Sequence, residues 1–150
     1  MIKEYEQLRR KYKLPPFKQL DEEFELRKID DDGFLIREIM RQMCRKLRWY
    51  ASILEPILNP HPDSLHALIE TKILENENRK SYFELYRKIW ALVYEGMLIE
   101  FKSEREIATF IKKVWREFPK LNEEMYKVMS KIVRGWRHFE EKEYLNGYLG

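Results

Sequence analysis

Eight cations along the chain are spaced so that they could grip phosphate. Arg37, Arg41, Arg45 and Arg48 recur at intervals of four and three, which on a helix gathers them within about 80° of arc, diluted only by Glu38 and Glu55. Lys127, Lys131, Arg134 and Arg137 repeat the pattern further on, with no acid between Met125 and Phe139. Guanidinium groups pair in a bidentate way with phosphate oxygens and release counterions, so faces of this kind can bind nucleic acid or another polyanion. The simpler reading is a solvated face whose charges pair within the chain, with the acidic 21–32 segment as the expected source of partners. An acidic protein partner is the third.

Other chemistry finds little material. A dimetal site of the ferritin kind needs Glu-x-x-His, and none of His61, His66 or His138 has a Glu three positions before it. Cys44 is the one cysteine, so neither an intrachain disulfide nor a thiolate metal cluster can form, and a reducing compartment is the expectation. The chain contains no phosphate-binding glycine loop, no HExxH and no nucleophile elbow. No catalytic residue, cofactor or metal ligand is assigned. Asp63 and His66 sit on neighbouring turns, but Asp63 is better explained as a helix cap, and His61 lies between two prolines as an exposed turn residue. Glu100 falls within the apolar arc of its helix and there needs a nearby cation or an escape to solvent. Gly96, close by, reads as a point of tight helix approach, and Cys44 as a small buried hydrophobe.

The elements that would hold these residues are helices. Residues 81–101 are apolar around most of the helical circumference, with Arg87, Ala91, Glu84, Glu95 and Lys88 in one narrow stripe, so this segment is expected at the centre of a bundle. Ile89 and Val93 should then be among the most buried residues. A longer helix, capped by Asp32 and ending near Leu58, carries the seam Ile36, Met40, Met43, Leu47, Tyr50, Leu54 and Ile57 and packs along it. Before it, Tyr5, Leu8 and Tyr12 mark a short helix ended by Pro15-Pro16, and Phe17, Leu20 and Phe24 a second segment. After Asn59-Pro60, Asp63 or Ser64 caps a shorter helix. Ser103 and Glu106 form a capping box, and Pro119 is expected to separate that helix from a last one carrying Leu121, Met125, Val128, Met129, Ile132 and Trp136. Trp49 and Trp115 lie off the seams of their helices. They either mark a partner or dimer surface or are covered by the N-terminal arm.

The composition agrees. With 37% charged residues but only +3 net charge, the surface is mixed in sign and does not bind nucleic acid through bulk charge. The N-terminus has no apolar signal region and no run of 18 apolar residues occurs, so a cytoplasmic protein with no membrane contact is expected. Abundant Lys, Glu and Arg lean toward a thermophile. The segments KLPPFKQLDEEFEL, FLIREIMRQMCRKLRWYASILEPILNPHPDSLHAL and FIKKVWREFPKLNEEMYKVMSKIVRGW resemble, in that order, a group of small all-helical archaeal proteins. The resemblance implies an archaeal cytosolic origin and carries over no activity, cofactor or catalytic residue.

These features together predict an all-α, single-domain bundle of about five to seven helices. Residues 1–31 form a docking arm, 32–142 the core and 143–150 a tail. The expected function is a non-enzymatic protein-interaction or assembly module, acting on a protein partner or as a homo-oligomer. The alternative is a nucleic-acid-associated protein using the two basic faces. An enzyme built on Glu100 or His66 in a helical cleft comes last.

Overall fold

The computed structural model describes residues 1–30 and 33–142, and every regular element among them is helical. The chain forms α1 (Ile2–Tyr12), α2 (Phe17–Phe24), a 3-10 turn at Leu26–Lys28, α3 (Leu35–Leu58), α4 (Leu65–Ile73), α5 (Arg79–Ile99) and α6 (Glu104–His138). They pack into one bundle. No helix among the described residues is long and apolar enough to cross a membrane. The expected tail at 143–150 lies outside the described residues, as does Asp32. The first turn of α3 begins after Phe34, and no side chain caps it.

The centre of the bundle is α3, not α5. Leu35, Ile36, Ile39, Met40, Met43, Leu47, Leu54 and Ile57 cover a wide arc of α3, which packs against every other α-helix. In α5 only Tyr82, Leu85, Ile89, Leu92, Val93 and Gly96 are buried, with Ile89 and Val93 fully so. Phe83, Tyr94, Leu98 and Phe101 remain 52%, 62%, 64% and 88% exposed. An apolar wheel therefore overstated how many neighbours this helix has: periodicity records which residues avoid water, not what covers them.

α5 runs antiparallel to both α3 and α6. Toward α3, Gly96 lies so close that a Cβ there would sit 2.7 Å from Cys44 Sγ and 3.1 Å from the Phe110 ring, so only glycine permits this approach. At the other end the Arg79 guanidinium donates to the carbonyls of Leu58, at 2.9 Å, and Ile57, tying down the end of α3. Toward α6, Lys113 pairs with Glu95 at 2.8 Å and Lys131 with Glu77 at 2.6 Å.

α6 continues through Pro119 for 35 residues, contrary to the expected break. Proline removes one backbone bond and crowds the preceding turn, at about 3 kcal/mol. Phe110, Ile111, Val114, Phe118, Leu121, Met125 and Val128 are buried on both sides of that point, while Pro119 itself faces outward. Keeping this apolar row in register outweighs the lost bond. The start of α6 follows its local signal: Ser103 Oγ accepts from the Glu106 amide at 3.3 Å and donates to its carboxylate at 3.1 Å.

The N-terminal arm closes the bundle. Phe24 inserts beside Phe118, with ring centroids 4.6 Å apart, and beside Trp115 at 6.4 Å. The Gln42 amide holds the end of α2 by donating to the Phe24 carbonyl at 2.9 Å. Tyr12 donates to Glu104 at 2.7 Å, linking α1 to the start of α6.

Candidate functional site

Neither basic face is a free row of cations. Arg41 is gripped by Glu38 and by Glu100, whose Oε1 accepts from Arg41 Nε at 2.7 Å. That pairing settles the carboxylate at the end of α5 and holds the Arg41 guanidinium even more firmly protonated. Arg45 donates to Gln42 at 3.1 Å, and Arg37 stacks 5.1 Å from the centre of the Phe34 ring. Arg48 is exposed and has no ion pair among the described residues. Of the acidic segment expected to neutralise this face, Asp21 pairs with Arg27 at 3.0 Å and Glu25 with Lys28 at 2.9 Å, while Asp31 and Asp32 lie outside the described residues. On α6, Lys127 lies 3.5 Å from Glu123 and Lys131 pairs with Glu77, leaving Arg134 and Arg137 exposed without an ion pair among the described residues.

The two faces also stand apart. Arg45 lines a cleft of about 210 Å³ together with Arg41, Arg48, Cys44, Gly96 and Met97, whereas Lys131 sits beside Glu77 near the opposite end of α5. Between Gly96 and Glu77 the bundle axis runs roughly 28 Å at 1.5 Å per residue. No continuous phosphate track joins them.

The candidate nucleophiles and bases are spoken for. Burial pushes the Cys44 thiol up to about 11, so little thiolate exists at neutral pH. Ser64, not Asp63, caps α4 by accepting from the Ala67 amide at 3.1 Å. His66 stacks on Trp136 with ring centroids 5.1 Å apart and turns toward Glu70, Nδ1 to Oε2 being 3.4 Å. Among the described residues no three His, Cys, Asp or Glu side chains gather as a metal ion would require.

The outward side of α5 carries what remains. Phe83, Tyr86, Trp90, Tyr94 and Met97 fall on one arc of the helix, with Leu98 and Phe101 at its end. Their rings are ordered against one another: Trp90 meets Tyr86 edge-on at 6.3 Å and Tyr94 at 5.7 Å. The Tyr86 hydroxyl donates to the Glu55 carboxylate and so fixes the row against the rim of α3. No described helix lies over this arc. Of the two tryptophans singled out by their position, Trp49 is exposed, while Trp115 is half-buried beside Phe24 of the arm. The aromatic row was visible in the sequence, but its apolar character pointed to the core. No known protein family, curated protein or solved structure matches the chain.

Proposed function

We propose that this protein is a non-enzymatic interaction module that docks a protein partner on the outer face of α5. The observation that carries this reading is the row Phe83, Tyr86, Trp90, Tyr94 and Met97, held in order by ring contacts and a hydrogen bond, with Phe83, Tyr94 and Met97 exposed and Tyr86 and Trp90 half-buried beneath them. Aromatic and methionine side chains are enriched where proteins meet, because rings bury much area for little lost conformational freedom and methionine adapts its shape to what it meets. Scattered exposed apolar residues need no such account, but a contiguous strip along a whole helix does. The test places a photo-activated crosslinking residue at Tyr94 in cells. A discrete covalent adduct is expected there and not from a control at exposed Glu123. Absence of any adduct would refute the docking reading.

The alternative is polyanion binding by Arg37, Arg41, Arg45 and Arg48, favoured by the convergence of Arg41, Arg45 and Arg48 on one cleft. It is the weaker reading because Arg41 is already neutralised by two carboxylates. A filter-binding titration with single-stranded RNA at two salt concentrations decides it. Binding through phosphates would weaken with a slope of about 0.7 per phosphate neutralised. No complex at the lower salt concentration removes this reading.

A further inference from the structure

We propose that the occupant of the α5 face is a second copy of this chain, turned end for end about a two-fold axis that passes Trp90. This inference rests on the docking reading above and names its partner. A symmetric interface must be complementary to itself, so that if residue i of one copy meets j of the other, j also meets i. The aromatic row meets that condition. Its members stand three, four, four and three positions apart, so it reads the same from either end. Reversal about Trp90 lays Phe83 on Met97, Tyr86 on Tyr94, and Trp90 on its own counterpart.

The charges on the rim obey the same symmetry. α3 borders the row antiparallel to α5, with Arg41 at Glu100, Cys44 at Gly96 and Glu55 at Tyr86. Counting between these contacts, the midpoint of Arg48 and Glu55 is level with Trp90. The axis that reverses the aromatic row therefore sets Arg48 of one copy against Glu55 of the other, twice. Both groups have capacity for this: Arg48 has no ion pair among the described residues, and Glu55 uses Oε2 for the Tyr86 hydroxyl, leaving Oε1. A parallel two-fold pairing of the same face would instead carry the two α3 rims to opposite sides of the interface and lose both Arg48–Glu55 pairs. The row is about 21 Å long between Phe83 and Met97 at 1.5 Å per residue, which is small for an obligate dimer, so the association is reversible and depends on concentration.

Sedimentation of the full chain across the micromolar range is expected to show a monomer–dimer equilibrium. Arg48→Glu and Glu55→Arg should each weaken the dimer about tenfold or more, because both symmetry-related pairs become repulsive. The double variant Arg48→Glu/Glu55→Arg should dimerise several-fold more tightly than either single variant, short of the wild-type constant because Glu55 no longer accepts from Tyr86. Both positions face solvent, and circular dichroism checks that each variant remains folded. Tyr94→Lys, also on an exposed site, should abolish the dimer independently of the rim charges. A folded wild type that stays monomeric at all concentrations overturns the inference. So does a dimer indifferent to the charge swaps, or a double variant as weak as the single ones. A monomer whose Tyr94 crosslinks to a different protein removes the second copy as occupant and leaves the docking reading standing.

Discussion

Glu70 brings a carboxylate into the bundle at 7% exposure, and among the described residues its Oε2 accepts no hydrogen bond, His66 Nδ1 standing 3.4 Å away. Burial raises its pKa, with His66 pulling weakly in the opposite direction. The folded chain therefore holds the Glu70 proton more tightly than the unfolded chain does, and this site loses stability as pH rises above the ordinary carboxylate range. Glu70→Gln should stabilise the protein at neutral pH by about 1 kcal/mol, with the gain fading toward about pH 4. Urea melts at the two pH values check it, and an equal gain at both would contradict the account. Gly96→Ala should cost about 1–3 kcal/mol by forcing a methyl against Cys44 and Phe110, and adding Cys44→Ala should recover part of that. Gly96 and Glu100 were legible in the sequence because each broke an apolar arc. Glu70 was not: α4 has only nine residues, too few for its inward face to be defined.

At the level of elements, local signals proved sound where the chemistry is local. The Ser103 capping box opens α6 because hydroxyl, amide and carboxylate lie within one turn. Pro119 misled because what keeps α6 intact is distant in sequence: Phe118 packs on Phe24 and Tyr50, from two other helices. Pro119→Ala should accordingly stabilise the protein by roughly 1–2 kcal/mol, the regained backbone bond being offset in part by a more flexible unfolded chain. A urea midpoint unchanged or lowered would mean that the helix has adapted around the proline. The exchange of roles between α3 and α5 has the same origin. Both are apolar enough to be central, and only contacts separated by many residues show that α3 packs against every other α-helix while Phe83, Tyr94, Met97 and Leu98 of α5 stay exposed.

Across the whole molecule, the two basic faces illustrate what sequence can and cannot order. Their residues and spacing were evident, but Glu100 lies 59 positions from the arginine it neutralises, and the distance between the faces depends on the antiparallel course of α3, α5 and α6. The arm is a part of the core rather than an appendage. Phe24 is 1% exposed, and Phe24→Ala should cost about 3–5 kcal/mol in a urea melt while the aromatic face of α5 remains as it is. A loss below 1 kcal/mol would show that the arm is held elsewhere.

The docking of the arm also orders events in time. Tyr12 reaches Glu104, and Phe24 reaches Trp115 and Phe118, so α1 and α2 close against a helix that is made about ninety residues after them. At 5–20 residues per second, roughly ten seconds separate the synthesis of the arm from that of its seat on α6. Throughout that interval Phe24, Phe17 and the apolar arc of α3 have no permanent cover. A nascent chain released before residues near 118 have emerged should therefore be prone to aggregation, its apolar arm and α3 arc still lacking their seat on α6.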